Sequence, residues 1–526
     1  MNKFIERFSN GIAGVLNGFD RLVFRGTLRQ IQHWGGMMSY LWQQQVLLKN
    51  FGQHVQQISE RIKTASLRAA QEQGRPLHYL YSSQVSKEDM ARKIAAQDKV
   101  REGLVCVLTC VEPCMSYEVR RNAAGKQLEL ASCIRKCLHL YHYWVHPQLG
   151  FLNARLQTWF PFAIQVCLNG REWLARQMDQ AGMQYQRYDN CFSQVEDFAR
   201  AQQLLEQQLK VRWPQLLDPI ARQLNPLHAE ILADLAPRYY WTTYQSEWAM
   251  DIVFRDPEQL RRLYPKLLHL GIHSFSSPQV LRFLGKKITA AGGVPGTLTQ
   301  QVITDLRQRQ EGVRIKHAVG RNSVKLYDKL YTPTAAVLRL EATINEPEAF
   351  LVYRRKEGDS KGPRSWRTMR RGVADLHRRT KISQKIVDRY ADALASVEDN
   401  ATLEELTASL ERRVNWNGRW VRALHPFAQE DRNLLAGVNR GEFTVHGFRN
   451  RDLQSLLYRS PAVSPTEAHR RSAAVSRKLR LLRAHGLIQK LPHTHRYQVT
   501  SSGRQIITAV LAARHATLKQ LTALAA

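Results

Sequence analysis

Acidic residues are scarce in this chain of 526 residues, in which 45 Asp and Glu stand against 77 Lys and Arg. The resulting net charge of +32 repels itself in a compact fold and is best tolerated beside a polyanion. Between Ala468 and Ala526 there is not a single Asp or Glu. The sequence therefore predicts nucleic acid as the main partner of this protein.

Long apolar runs and cysteines are also few. No apolar run reaches the ~18 residues that span a bilayer, so we expect no membrane partner. The first residues, MNKFIERFSNGIAG, include an acid and lack the apolar stretch of a signal peptide. The 7 Cys form no disulfide framework of the secreted type, which predicts reduced thiols. These absences predict a cytoplasmic, nucleoid-associated protein.

Strand-like and helix-like segments alternate irregularly, which predicts an α+β fold with a mixed or antiparallel sheet and large helical insertions. The length predicts about three or four domains. We place a nuclease-like core at 1–355, with helical insertions at about 30–97 and 190–235. A basic helical connector is expected at 356–440, beginning with the Gly- and charge-rich linker KEGDSKGPR, and a winged-helix module at 441–526. No internal repeat is evident.

The C-terminal segment has the element order of a winged helix. FRNRDLQSLLY predicts a short helix, and PTEAHRRSAAVSRKLRLLRAHG predicts a longer one that ends at Gly486. Two strand-like segments around His493 and Thr494 and a final helix opened by Ser501 or Ser502 follow. In such modules the second helix enters the major groove of duplex DNA and the hairpin lies on the adjacent backbone.

Basic side chains in this module are the predicted DNA contacts, because Arg and Lys meet phosphates and guanine edges. They are Arg470, Arg471, Arg477, Lys478, Arg480, Arg483, Lys490 and Arg496. Some winged helices serve protein contacts instead, but the missing acids favour a nucleic acid. Several phosphate contacts predict binding that weakens steeply with salt.

The densest chemical signal lies between His317 and Asn345. Lys325, Tyr327 and Lys329 alternate on one face of a predicted strand, and Arg339 and Glu341 share a face of the next strand. A Tyr hydroxyl flanked by cations can act as a nucleophile toward phosphorus, since positive charge favours the phenolate and shields the phosphate. A neighbouring carboxylate can hold a divalent metal ion.

These residues resemble the pattern of rolling-circle replication initiators of plasmids and filamentous phages, with a strand of the type GSR-x-S…(K/R)-x-Y-x-K followed by R-x-E. The matching positions are Gly320, Arg321, Ser323, Lys325, Tyr327, Lys329, Arg339 and Glu341. FDRLVFRG supplies Asp20 on a first strand, and QSEWAMDIVF supplies Glu247 and Asp251 on an acidic strand.

The resemblance implies a tyrosine endonuclease that nicks one DNA strand and forms a phosphotyrosyl link with the help of Mg²⁺ or Mn²⁺. Tyr327 would be the nucleophile, with Lys329 and Lys325 stabilising charge. Asp20, Glu247, Asp251 and Glu341 would be metal ligands, and Arg321 and Arg339 nucleic-acid contacts. The protein would then serve a mobile element, phage or plasmid as replication initiator or transposase-like strand transferase.

Other interpretations stay open at this point. The same strand pair can be plain sheet architecture, which would leave a non-catalytic DNA-binding regulator or replication protein. An RNA-binding protein of a mobile element is a further alternative, and a homodimer is compatible with each. The crowded Cys133, Cys137, His139, His142 and His146 have an atypical spacing for zinc, and we expect none to be bound.

Overall fold

The computed structural model describes residues 2–517 except 83, 123, 124, 126, 226–229, 231–238, 287–301, 310, 311, 360, 398–402, 444–446, 459 and 493. The described chain forms two compact units. The first contains residues up to Phe275, Phe283–Gly285 and Val302–Ala395. The second contains Ser276–Arg282, Lys286, residues 396 and 397, and the described residues from 403 onward.

An α+β architecture with one large mixed sheet confirms the predicted fold class. The sheet of the first unit has 11 strands in the order β10-β11-β12-β13-β9-β1-β6-β5-β4-β3-β2. Their bounds are β1 Ile12–Leu28, β2 Leu77–Leu80, β3 Gly103–Arg121, β4 Leu128–His146, β5 Gly150–Gln157, β6 Ile164–Asn169, β9 Tyr239–Phe254, β10 Val302–Arg309, β11 Gly312–Val319, β12 Asn322–Thr332 and β13 Ala335–Ile344. Two hairpins add β7 Tyr185–Tyr188 with β8 Cys191–Val195 and β14 Leu351–Arg354 with β15 Ser365–Thr368.

The sheet repeats one topology about its centre, although no repeat is evident in the sequence. β1 leads through helices to the antiparallel meander β3-β4-β5-β6, whose last strand pairs with β1. β9 leads through helices to the meander β10-β11-β12-β13, whose last strand pairs with β9. Because β1 and β9 pair with each other, the two halves meet at the centre of the sheet, where both contribute polar side chains.

Helices cover the sheet on both faces. Those of the first unit are α1 Lys3–Arg7, α2 Trp34–Gln43, α3 Phe51–Glu72, α4 Lys87–Gln97, α5 Gly170–Gln180, α6 Phe198–Glu206, α7 Trp213–Leu224, α8 Pro257–His273 and α10 Leu376–Leu394. Leu16 of β1 packs with Leu174 of α5 and Leu205 of α6 on one face. Every residue of β13 is buried, which is typical of a central strand covered on both sides.

From Asn450 to His515, the second unit has the predicted order of helix, helix, hairpin and helix. Its helices are α9 Ser277–Phe283, most of which belongs to this unit, α11 Leu403–Ala408, α12 Gln429–Val438, α13 Asn450–Leu457, α14 Pro465–Ala484 and α15 Ser501–His515. Its strands are β16 Val414–Trp416, β17 Arg419–Val421, β18 Ile488–Lys490 and β19 Tyr497–Val499. Val475, Leu479 and Leu482 of α14 are buried in one cluster, as their helical spacing predicts. His493 of the expected hairpin lies outside the described residues.

Three segment boundaries differ from the sequence-based prediction. The expected linker at 356–364 lies between the paired strands β14 and β15. The two units divide after Ala395, which lies inside the expected connector. The expected insertion at 30–97 includes β2, which pairs in parallel with β3. Parts of the expected helical insertion at 190–235 lie outside the described residues, and its described part includes strand β8. Local composition does not reveal such long-range strand pairing.

Among the described residues, no helix combines the length and the apolarity needed to cross a membrane.

Candidate active site

Three adjacent strands place polar side chains on one face of the sheet. Lys325 lies opposite Glu341, and Tyr327 lies opposite Arg339, across the β12–β13 pair. Arg339 in turn lies opposite Asp251 across the β13–β9 pair. Since alternate residues of a strand point to the same face, the sequence pattern predicted this grouping of Lys325, Tyr327, Arg339 and Glu341.

Asp20 reaches the same cluster through a β-bulge in β1. The register shifts between Phe19, which pairs with Trp248, and Arg21, which pairs with Glu247, so Asp20 is the extra residue. A bulge changes the direction of a side chain and often lies next to an active site. Asp20 is almost fully buried and accepts a hydrogen bond from Asn190 Nδ2 at 2.6 Å.

Asp20, Glu247 and Glu341 are arranged as a possible cation site, which we call the acidic triad. Each residue offers one carboxylate oxygen, and these oxygens all lie within 4.8 Å of one another. Burial and the negative charges of Glu341 and Asp20 raise the pKa of Glu247 to about 7. A divalent cation would relieve this repulsion, and hard carboxylate oxygens are the ligands that Mg²⁺ and Mn²⁺ prefer. The triad therefore fits the predicted metal ion.

Tyr327 is joined directly to the triad. Its hydroxyl donates a hydrogen bond to Glu341 Oε2 at 2.7 Å. Burial and the charge of Glu341 raise the pKa of Tyr327 well above its usual value, so the phenol is protonated near neutral pH. Positive charge added at the triad would act in the opposite direction and favour the phenolate.

Lys325 is the cation nearest to the triad. Its ammonium donates a hydrogen bond to Glu341 and lies 3.9 Å from Glu247 Oε1. Although burial opposes ionisation of Glu341, the charge of Lys325 and the hydrogen bonds from Lys325 and Tyr327 lower the pKa of Glu341 to about 2. Glu341 is therefore ionised, and it is the acceptor that holds both side chains.

The structure separates Asp251 from the predicted metal ligands. Its side chain is fully buried and forms ion pairs with Arg339, Nε to Oδ1 at 2.5 Å, and with Arg171, whose Nε donates to Oδ2 at 2.9 Å. The prediction that Arg339 contacts nucleic acid is wrong for a related reason. The Arg339 side chain is 0% exposed, and it spans Asp20 and Asp251 inside the protein.

Lys329 and Arg321 also lie outside the cluster. A register shift between Asp328 and Leu330 makes Lys329 the extra residue of a bulge, and its ammonium pairs with Asp189 Oδ2 at 3.1 Å. Lys329 thus departs from the regular alternation with Lys325 and Tyr327 that the sequence predicted. Arg321 is exposed in the turn before β12, six residues from Tyr327, which corresponds to about 20 Å along a strand.

Sequence reasoning missed the residues that hold the cluster from outside the strands. The Asn169 side chain caps α5 by accepting from Arg171 N at 2.7 Å, which anchors Arg171 beside Asp251. The carbonyl oxygen of Asn190, in the β7–β8 turn, accepts from Arg339 at 2.6 Å. Gln245 Nε2 donates to Glu247 Oε1 at 2.9 Å. Only Gln245, two residues before Glu247 on its strand, could have been found from alternation.

A second group of possible ligands lies on β3 and β4. Cys114 and Cys137 have their sulfur atoms 2.7 Å apart, and both are free thiols close to His139. His139 is fully buried, and its Nδ1 lies 3.2 Å from the carbonyl oxygen of Cys137. Burial and the charge of Arg155 lower the pKa of His139 to about 4. The absence of zinc from this group stays a prediction.

The eight basic residues of the second unit that were predicted to contact DNA fall into two sets. Arg471 pairs with Glu467, Lys478 with Glu430, Arg483 lies over the ring of Trp416, and Arg496 donates to the carbonyl oxygen of Gly447. The others are exposed, and we call them the exposed set: Arg470, Arg477 and Arg480 on α14, and Lys490 on β18. The α14 members are spaced by seven and three residues, so they share one face of the helix.

Comparison of this chain with protein-family models, with curated proteins and with solved structures finds no match in any of the three.

Proposed function

We propose that this chain is a DNA-binding protein that cleaves one DNA strand with Tyr327, next to a divalent cation held by the acidic triad. The observation that carries the proposal is the hydrogen bond from the Tyr327 hydroxyl to Glu341 Oε2, at 2.7 Å. It attaches a nucleophile directly to a residue that can ligate the cation. The proposal includes a role as replication initiator or strand transferase of a mobile element, phage or plasmid.

The chain's own residues have distinct parts in this reaction. Glu341 orients the Tyr327 hydroxyl and accepts its proton as the phenol oxygen attacks phosphorus. A phosphotyrosyl bond forms, the P–O bond to one neighbouring nucleotide breaks, and the departing oxygen takes a proton. Lys325, beside Glu341, supplies positive charge for the phosphate. When bound, Mg²⁺ or Mn²⁺ would act as a Lewis acid on the phosphate oxygens.

The exposed set supports duplex binding by the second unit. Arg470, Arg477 and Arg480 form one cationic face on the longer helix of a winged-helix order, with Ala473 between them. A helix of this kind can approach phosphates and base edges closely. This unit would locate the DNA that the first unit cleaves. We also propose a cytoplasmic location beside the nucleoid, because the partner proposed here is DNA.

The test is incubation of the full chain with supercoiled and single-stranded DNA in Mn²⁺, including DNA that flanks its own gene. We expect nicks and a protease-resistant protein–DNA adduct, both lost in Tyr327→Phe. Tyr331→Phe is the matched control, because Tyr331 is an exposed tyrosine of the same strand whose hydroxyl bonds Glu258. Adducts that persist in Tyr327→Phe, or no cleavage with any metal ion, would contradict the proposal.

A non-catalytic DNA-binding regulator is the alternative, and one observation favours it. Lys325 and Arg339 already pair with Glu341 and Asp20 and so neutralise part of the triad. Buried ion pairs of this kind can serve only to define the structure. Salt-sensitive duplex binding without cleavage, and without any effect of Mn²⁺ on stability, would support this alternative.

A further inference from the structure

The face of the sheet that carries the acidic triad continues into a polar strip along β1 and β9. On β1, Arg21 is exposed and Arg25 is half-buried, whereas Val23, which lies between them on the same face, is buried, as are Leu22 and Phe24 on the opposite face. On β9, Tyr240 and Thr242 are half-buried, whereas Trp241 between them is buried. Arg21 lies directly opposite Glu247 across the β1–β9 strand pair, so the strip lies on the same face of the sheet as the triad.

The strip ends in a pocket of about 560 Å³ lined by cations, aromatic rings and hydroxyls. Its lining residues include Arg25, Arg29, Arg371, Tyr240, Tyr244 and Thr242. None of the described residues that line it is acidic. We call these six residues the arginine–tyrosine pocket.

Arg25 differs from Arg371 of this pocket, which pairs with Glu348 Oε1 at 2.7 Å. Among the described residues, no carboxylate forms a hydrogen bond or an ion pair with Arg25. Across the sheet, Arg25 lies opposite Gln165 of β6, and Gln165 lies opposite Arg155 of β5. Burial and the charge of Arg155 lower the pKa of Arg25, so two guanidinium groups repel each other across one strand. Arg155 pairs with Glu112 at 3.2 Å, so an anion bound at Arg25 would balance the remaining positive charge.

The aromatic side chains offer surfaces for stacking. The guanidinium of Arg29 lies 4.3 Å from the ring centre of Tyr240. Tyr244, the extra residue at an irregularity of β9, is 37% exposed. Gln32 also lines the pocket. Cations and stacking rings together are the combination that binds single-stranded nucleic acid.

We infer that the arginine–tyrosine pocket and the strip bind the single DNA strand whose phosphodiester is presented to Tyr327. Arg25 is four residues from Arg21, the neighbour of Glu247, so about 13 Å of strand separates the pocket from the triad. A phosphate chain held at Arg25 can therefore extend past Arg21 to the triad. The inference rests on the proposed function for the identity of the reacting strand, whereas binding itself requires no cleavage.

The test measures binding without chemistry. Anisotropy of a labelled 20-nucleotide oligo-dT is titrated with the full chain in EDTA, with excess unlabelled duplex DNA to occupy the second unit. We expect Arg25→Ala/Tyr244→Ala to weaken binding at least about 10-fold, since the variant loses both a stacking ring and a phosphate contact. The matched control is Arg68→Ala/Tyr353→Ala, which removes an exposed Arg and an exposed Tyr elsewhere in the first unit.

The outcomes of this experiment test binding at the pocket and do not depend on whether the protein cleaves DNA. Equal binding by the two double variants, with wild-type melting temperatures, would overturn the inference, as would displacement of the probe by duplex DNA. Stronger binding of oligo-U than of oligo-dT would overturn the assignment to DNA. If cleavage is never detected but the pocket variants lose binding, the proposed reaction fails and the binding site stands.

Discussion

Arg339 and Asp251 face each other on neighbouring strands and form a two-point ion pair, with 2.5 Å between Nε and Oδ1 and 2.8 Å between Nη2 and Oδ2. Both side chains are 0% exposed. Arg171 of α5 forms a second ion pair with the same carboxylate. Asp251 thus joins strands β9 and β13 to helix α5, and both of its carboxylate oxygens already accept hydrogen bonds.

Removing the charge of Asp251 should therefore damage the fold. Asp251→Asn leaves two buried guanidinium groups without their shared counter-charge, and we expect a loss of about 3 to 5 kcal/mol in the free energy of unfolding. Urea unfolding checks this. The control is Asp189→Asn, which breaks a pair whose Asp side chain is 71% exposed and should cost less than about 1 kcal/mol. Equal stability of both variants would contradict the structural role.

Period-two alternation was sufficient to predict which strand residues share a face. It placed Lys325 with Tyr327 and Arg339 with Glu341, because a regular strand directs alternate residues to one side. It could not reveal the bulges that bring Asp20 into the cluster and move Lys329 out of it, since a bulge is defined by the partner strand.

Contacts between distant parts of the chain were also hidden from the sequence. Arg171 lies 80 positions from Asp251, and Asn190 lies 170 positions from Asp20. Periodicity within one segment carries no information about such partners. The role of Arg339 was misjudged for this reason, since a strand arginine looks the same whether it faces DNA or two buried carboxylates.

Glu247 should make the metal-free protein less stable as pH rises. Its pKa in the folded state is raised from 4.5 to about 7, so its protonated form is favoured by folding. The associated stability is present below pH 4.5 and is lost as pH rises through 7, amounting to about 3 kcal/mol. Glu247→Gln should lack this decrease and be more stable than wild type at pH 8. Unfolding of both proteins in EDTA from pH 4.5 to 8 measures the difference.

The control for this pH dependence is Glu60→Gln, which alters a carboxylate of α3 whose side chain is 58% exposed. Its unfolding free energy should follow the wild-type curve. Parallel curves for wild type and Glu247→Gln would show that Glu247 is not held at a raised pKa.

Mn²⁺ should stabilise the wild-type protein through the acidic triad. A ligand that binds only the folded state adds about 2.7 kcal/mol when its concentration is a hundredfold above its Kd. We expect the melting temperature to rise with Mn²⁺ in wild type and to stay constant in Asp20→Asn. Cys114→Ser should keep the full rise, because Cys114 belongs to the other group of possible ligands. If the rise in melting temperature is lost in Cys114→Ser but kept in Asp20→Asn, the metal ion binds the group of Cys114, Cys137 and His139 and not the acidic triad.

Duplex binding should depend on the cationic face of α14. Arg470, Arg477 and Arg480 are exposed on one side of this helix, whereas Arg471 and Lys478 are engaged with Glu467 and Glu430. Each lost phosphate contact lowers the slope of log K against log salt by about 0.9. The triple Ala variant of the three exposed arginines should therefore bind duplex DNA more weakly and with a slope reduced by about 2.7.

The matched control for the duplex experiment removes the same charge from the same unit but away from α14. Arg412, Arg413 and Arg419 are exposed arginines on and before the β16–β17 hairpin. Their triple Ala variant should keep the wild-type slope. If both triple variants lose the same slope, the second unit attracts DNA only through its overall charge, and α14 is not a recognition helix. If only the α14 variant changes, duplex DNA contacts that helix directly, because loss of overall charge alone would affect both variants alike.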